Sequence, residues 1–185
     1  MRLVTALLLV LMVAPAGADT MGLFFDESDF DEDSSRLATS VGQPFSAYVV
    51  LLDATPSTLG GYELGITYSS STVTTLSVSG PNGWTNFGSS DNHLVGYVTP
   101  LPTSASGTVL GSLNLLQFDS DWVTIDFGPS SPASISGSPV IADGASPDDL
   151  TACELFGGGP TVADLNRPPQ QYRERRLGRV KALFE

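Results

Sequence analysis

The seven residues Tyr62-Glu63-Leu64-Gly65-Ile66-Thr67-Tyr68 put Tyr62, Leu64, Ile66 and Tyr68 on one side and Glu63, Gly65 and Thr67 on the other. A side-chain period of two belongs to a strand with one buried face, because successive side chains leave a pleated backbone in opposite directions. Gly60-Gly61 precedes the run and Ser69-Ser70-Ser71 follows it, so turn formers bound it on both sides. Upstream, Phe45 to Leu52 is an apolar run closed by Asp53 and Pro56. Downstream, Thr72 to Val78 ends at the turn Gly80-Pro81-Asn82-Gly83 and is followed by a short piece, Trp84 to Phe87. Further strands are expected over His93 to Thr99, Thr108 to Leu116, an alternating Trp122 to Phe127, and Ser134 to Ala142. With Gly22 to Phe25 this makes about nine short strands at sandwich-like spacing. The expected fold is all-β: an antiparallel β-sandwich of jelly-roll type.

The ends of the chain read differently. Met1-Arg2, an apolar run from Leu3 to Ala14 and the small-residue site Ala16-Gly17-Ala18 form the pattern of a secretory signal peptide. The apolar run falls short of the roughly 20 residues that a spanning helix needs. Residues 1–18 are therefore expected to be removed after Ala18, leaving a secreted, extracellular or periplasmic product with no integral membrane segment. The rest divides into an N-terminal strand and acidic segment (19–40), the β-sandwich (41–156), a Gly/Pro linker (157–169) and a basic amphipathic tail (170–185). That tail is read as a short helix, with Pro169 at its start.

Charge narrows the function. The 185 residues hold 20 acids and 8 bases, a formal charge of −12. From Leu37 to Asn166 there are eleven acids and no Lys or Arg, whereas 167–185 carries six bases and two acids. A body this acidic repels phosphate backbones, which excludes nucleic-acid binding by it. One Cys and one His exclude a disulfide framework within the chain and any two-His metal site. No G-x-S-x-G and no phosphate-binding glycine loop occurs, and Gly157-Gly158-Gly159-Pro160 is followed by no Lys.

Val41-Gly42 at a strand start, Leu59-Gly60-Gly61-Tyr62-x-Leu64-x-Ile66-x-Tyr68, and Thr72-Val73-x-x-Leu76-Ser77-Val78 together resemble the first half of cohesin-like modules. Gly107-Thr108-Val109-Leu110-Gly111-Ser112-Leu113-Asn114-Leu115 is similar to a later strand of the same family, so the resemblance spans about Ser40 to Asp143. It implies a jelly-roll sandwich related to cellulose-binding modules, working by non-catalytic binding of a protein or glycan. Ser69-Ser70 stand where the family carries Asp-Pro, and no partner-contact residue is carried over.

Several groups of residues are candidates for chemistry. Trp84, Trp122 and Tyr97 have faces suited to stacking on a sugar ring, with Tyr62 and Tyr68 assigned to the core. Asp29, Asp31 and Asp33 alternate in an arm with six acids in eight positions, and present oxygens suited to Ca²⁺; the alternative is a solvated, flexible arm. Ser34 and Ser40 occupy the positions where a helix–loop–helix calcium site needs Gly and Glu. Asp119, Asp121 and Asp126 are carboxylates for a glycoside hydrolase, or caps on a turn. His93 reads as a surface or rim residue and Cys153 as a free structural thiol. In the tail, Arg173, Arg176, Leu177, Val180, Lys181 and Phe184 combine charge with apolar spacing. This suits docking on an acidic surface of this or a neighbouring molecule, recognition by a secretion system, or contact with anionic lipid.

Three functions follow. The first is a secreted, non-catalytic module that binds an extracellular protein or glycan through a sheet face and rim aromatics, with no cofactor except a candidate Ca²⁺. The second is a structural or surface-assembly subunit that self-associates through the basic tail. The third is a glycoside hydrolase.

Overall fold

The structure, a computed structural model, describes residues 18–81 and 83–168. The expected signal peptide, apart from Ala18, and the expected tail helix lie outside the described residues. Within them are thirteen strands: β1 (Thr20–Phe24), β2 (Arg36–Leu37), β3 (Pro44–Leu52), β4 (Thr58–Tyr68), β5 (Val73–Ser79), β6 (Trp84–Asn86), β7 (Asn92–Pro102), β8 (Thr108–Gln117), β9 (Val123–Gly128), β10 (Val140–Asp143), β11 (Leu150–Ala152), β12 (Glu154–Leu155) and β13 (Thr161–Leu165). A single 3-10 turn, Phe156–Gly158, joins β12 to β13. No described helix is long and apolar enough to cross a membrane.

The strands form two sheets. Sheet A runs β12-β1-β3-β8-β5, and sheet B runs β11-β10-β4-β9-β13-β2. β7 pairs with β4 from Thr58 to Gly65, and β6 pairs with the outer edge of β7. The other edge of β4 is shared: Leu59 to Glu63 pair with β10, and Gly65 to Tyr68 pair with β9. This makes β4 the centre of sheet B. Its alternation has the expected consequence, with Tyr62, Leu64 and Ile66 buried in the space between the sheets. Sheet A meets them with Met21, Leu23, Ala47, Val49, Leu51, Leu110, Leu113 and Leu115. Burial of apolar surface at about 25 cal/mol per Å² makes this interlayer core the main source of stability. Described ion pairs involve only Arg36 and Arg167.

The fold extends beyond the expected boundaries of 41–156 at both ends. β1 lies inside sheet A, and the stretch expected as a linker contains β13, whose Val162, Ala163 and Leu165 are buried. Pairing with β9 on one side and β2 on the other fixes this segment in sheet B. The Gly and Pro residues around it mark tight turns at its ends, and do not make a flexible spacer. The expected Ser134–Ala142 strand is confined to Val140–Asp143, because Ser134–Pro139 are spent on turns.

The acidic arm is pinned. Phe25 N–H donates to Ser34 C=O at 2.7 Å, closing a loop over residues 26–33. Phe30 turns inward against Phe24, with ring centroids 5.4 Å apart, and Phe24 in turn meets Phe156 edge-on at 4.9 Å. These rings lie on the outer face of sheet A, since Met21 and Leu23 of the same strand point into the core. Offset and edge-on aromatic contacts of this kind hold a loop that would otherwise be a solvated spur.

Candidate functional site

The outer face of sheet B carries an apolar opening. Tyr62 and Val95 point into the core, so their neighbours Gly61 and Gly96, paired across β4 and β7, point outward. Two side chains are thus missing side by side, and a groove of about 260 Å³ lies over them. Phe87 and Leu94 wall one side, and Val140, Ala142, Pro147 and Leu150 the other. Phe87 is 75% exposed and Leu150 40% exposed. Large apolar side chains left in water beside an apolar hollow mark contact surfaces more often than accidents of folding. The two glycines differ in kind. A Cβ on Gly61 would lie 2.2 Å from the Val95 carbonyl oxygen, so close strand approach demands glycine there. A Cβ on Gly96 would meet only the Phe87 ring at 3.6 Å, so Gly96 leaves space for its own sake.

The rim of this groove is acidic. Asp148 and Asp149 are exposed next to Pro147 and Leu150, and Asp143 follows Ala142. Glu63, beside the floor, is tied down: it accepts hydrogen bonds from Ser134 N–H at 2.9 Å, Ser134 Oγ–H at 2.6 Å and Ser130 Oγ–H at 3.1 Å. Those bonds fold the 130–134 loop against β4.

A second hollow, of about 700 Å³, opens at the other end of sheet B, between Trp122, Thr124, Thr161 and Arg36. Trp122 is 52% exposed, and its Nε1–H donates to Asp164 Oδ1 at 2.8 Å. Asp164 is buried and binds Arg167 through its other oxygen at 3.0 Å. The indole is therefore held at a fixed angle with one face open. Arg36 pairs with Glu32 and lies 3.9 Å from Asp33.

The other expected platforms are not open. Tyr97 is buried against the core and donates its hydroxyl to Leu110 C=O at 2.9 Å. Trp84 is half-buried and packs onto Gly80, where a Cβ would fall 2.4 Å from its ring; its Nε1 is buried with no partner among the described residues. Both residues pair in register, Trp84 with Tyr97, on the core side of β6 and β7. His93, expected at the surface, is 1% exposed. Ser90 C=O, which can only accept, lies 3.0 Å from Nε2, so Nε2 carries the proton. Nδ1 then accepts from the Tyr62 hydroxyl at 3.0 Å. Burial, opposed by Ser90 and the Asp91 charge, pushes the imidazole pKa below its ordinary value. It pushes the hydroxyls of Tyr62 and Tyr97 far up. Missing from the sequence reading was the face that His93 shares with Val95 and Tyr97 at period two.

The remaining candidates serve the local backbone. Asp119 Oδ1 accepts from Asp121 N–H at 3.1 Å and from Gln117 Nε2 at 3.3 Å, which is turn capping. Asp126 accepts from Thr161 Oγ1–H at 2.7 Å across β9 and β13. In the arm, Asp31 accepts from Ser34 N–H at 2.8 Å and Asp26 from Ser28 N–H at 2.9 Å, and these backbone bonds hold both carboxyls below their ordinary pKa. Among the described residues no three acidic, His or Cys side chains converge as a metal-binding group, Asp29, Asp31 and Asp33 included. Cys153 is a buried free thiol, and burial pushes its pKa up to about 12. The tail residues Arg173, Arg176, Leu177, Val180, Lys181 and Phe184 lie outside the described residues.

Neither a family model nor a curated protein sequence matches the chain. Solved structures do. The sixth cohesin of Acetivibrio cellulolyticus scaffoldin B, solved in complex with a Cel5 dockerin mutant, superposes with a TM-score of 0.52 at 11% identity, over 80% of this chain and 96% of that one. The second type II cohesin of the ScaA adaptor scaffoldin of the same organism gives 0.51 at 15% identity, covering 88% and 97%. A cohesin module of a Clostridium perfringens family 33 glycoside hydrolase gives 0.51 at 10% identity, covering 74% and 90%. The chain has a cohesin-like β-sandwich fold.

Proposed function

We propose that this chain is an exported, non-catalytic module that binds a partner protein through the outer face of sheet B. The observation carrying this reading is the glycine-floored groove, with Phe87 and Leu150 standing exposed on its walls. An apolar recess within a flat strand face accepts side chains of another protein, and its acidic rim selects a basic one. The fold supports the same class, because the similar Acetivibrio cohesin was solved holding a dockerin. The carboxylates of Asp119 and Asp126 are engaged in a turn and in strand pairing, which suits a binding role better than hydrolysis.

Capture of secreted proteins by the mature chain, compared between wild type, Phe87→Ala and Gly96→Val, tests the reading. Partners retained by wild type are expected to be lost at least tenfold with either variant and kept with Trp122→Ala. Equal capture by all three overturns it. A second reading, glycan binding, rests on the clamped and open indole of Trp122 beside its hollow. Glycan-array signals abolished by Trp122→Ala and untouched by Phe87→Ala would favour it.

A further inference from the structure

The groove has an apolar floor, an acidic rim and, among the described residues, no cation in its lining, and the same chain carries a segment of opposite character. Residues 170–185 hold five of the eight basic residues, with Leu177, Val180 and Phe184 at i, i+3 and i+7, the spacing of one helical face. We propose that this tail, 170–185, is a ligand of the groove on sheet B, its apolar face over Gly61 and Gly96 and its bases against Asp143, Asp148 and Asp149.

Three observations favour this place over the others on the molecule. The acidic arm has more charge, yet its one large apolar side chain, Phe30, is turned in against Phe24, so it offers ions without an apolar contact. In the Trp122 hollow the lining carboxylates Glu32 and Asp164 are already paired with Arg36 and Arg167, so they are not free to hold a basic segment. Among the described residues, the groove joins the exposed apolar walls Phe87 and Leu150 to the exposed carboxylates of Asp148 and Asp149. A 16-residue helix is marginal by itself in water, so the tail gains order from a groove that buries its apolar face. Nine residues separate Pro168 from Leu177, a reach of about 30 Å when extended at about 3.3 Å per residue. Through β9, Leu165 at the end of β13 aligns about nine residues beyond Gly61 of β4, and β13 runs away from the groove, so Gly61 and Gly96 lie roughly 30 Å along the strands and two to three strand spacings (roughly 10–15 Å) across, a diagonal of about 32–34 Å. That span exceeds the reach of the stretched 169–176, so the groove that takes the tail is that of a second copy of the chain.

Lys181 is the only lysine in the chain. Zero-length carbodiimide coupling of the full secreted chain, followed by mass spectrometry of Lys181-containing peptides, therefore reads the contact directly. Crosslinks to Asp143, Asp148 or Asp149 are expected between two molecules, with light scattering reading the joined pair, and the same crosslinks found only within single molecules overturn the placement. Gly96→Val fills the groove without touching the tail, and is expected to lower that crosslink at least tenfold. Its circular dichroism and melting confirm that the fold is kept. Crosslinks confined to the arm at 26–33, or none at all, overturn the proposal. So does tail-dependent binding to vesicles of phosphatidylcholine and phosphatidylglycerol without any such crosslink. The measurement uses no foreign partner, so its failure leaves the partner-binding reading standing, and failed capture leaves the tail contact standing.

Discussion

Replacing Tyr62 by Phe removes a single oxygen from the centre of the sandwich, and the consequences can be worked out. The hydroxyl donates to His93 Nδ1, whose other nitrogen is committed to Ser90 C=O, so the imidazole is satisfied only as the neutral Nε2–H form. Without the hydroxyl, a buried acceptor loses its donor, at a cost of about 1–3 kcal/mol. For a domain of this size that is a fall of roughly 2–4 °C in Tm per kcal/mol. Protonation adds a pH signature. The folded pKa of His93 lies below its unfolded value, so the unfolded state binds the proton more readily between the two. The stability this contributes is full above about pH 6.5 and lost as pH falls below it. His93 is the only histidine, and ordinary carboxylates titrate near 4, so loss between about pH 6.5 and 5 belongs to this ring. Urea unfolding followed by tryptophan fluorescence at pH 7.5, 6.5, 5.5 and 5.0 measures both effects, with His93→Phe as the pH-insensitive control. A Tyr62→Phe penalty under about 0.5 kcal/mol, or wild-type stability that rises on acidification through this window, would refute the reasoning.

Other expectations are simpler to state. Gly61→Ala should destabilise by about 3 kcal/mol or more, since its Cβ cannot coexist with the Val95 carbonyl, whereas Gly96→Ala should stay within about 0.5 kcal/mol; paired melting curves check the contrast. Cys153 should resist iodoacetamide at pH 8 in the folded protein and react fully in 6 M guanidinium, which peptide mapping reads. Gln117 is fully buried and joins three segments, accepting from Thr39 Oγ1–H at 2.7 Å and Asn166 Nδ2–H at 3.1 Å and donating to Asp121 C=O at 2.8 Å. Gln117→Leu should therefore cost about 2–4 kcal/mol in urea unfolding, because it strands partners from the β2, β8 and β13 ends together.

Much of sheet B and its partner sheet was written in plain periodicity. β4, β8 and β9 alternate over six residues or more, and their buried faces are the ones that alternation picks out. What escaped notice had physical reasons. β2, β11 and β12 are two or three residues long, too short to show any period. β13 is flanked by the glycines and prolines that usually announce a linker, and only pairing with β9, some forty residues upstream, makes it a strand. Aromatic residues misled in a different way. Trp84 stands among polar neighbours in sequence and Tyr97 between Gly96 and Val98, but a register contact sets them on the same inner face. Trp122 lies just before β9, in phase with its outward-facing Thr124 and Asp126, and keeps an open face. The groove was invisible for a further reason: its defining feature is the absence of two side chains, at Gly61 and Gly96, which only the pairing of β4 with β7 brings together.

The distribution of charge also follows from how this fold is held. Strand pairing and the interlayer apolar core need no cations, and between Leu37 and Asn166 the chain supplies none. Its acids are instead hydrogen-bonded by backbone and hydroxyl donors at turns, as Glu63, Asp31 and Asp119 show. Such bonds satisfy each carboxylate's oxygens but leave its charge in place. The body therefore repels its own copies at long range, over about 10 Å at 0.1 M salt. Any association must overcome that repulsion with apolar contact or with a basic partner, and the groove rim is where both kinds of surface meet. On the proposed reading, an acidic body with the apolar recess over Gly61 and Gly96 discriminates by sign: neutral or acidic proteins lack the attraction, and a basic segment without apolar side chains lacks the anchor.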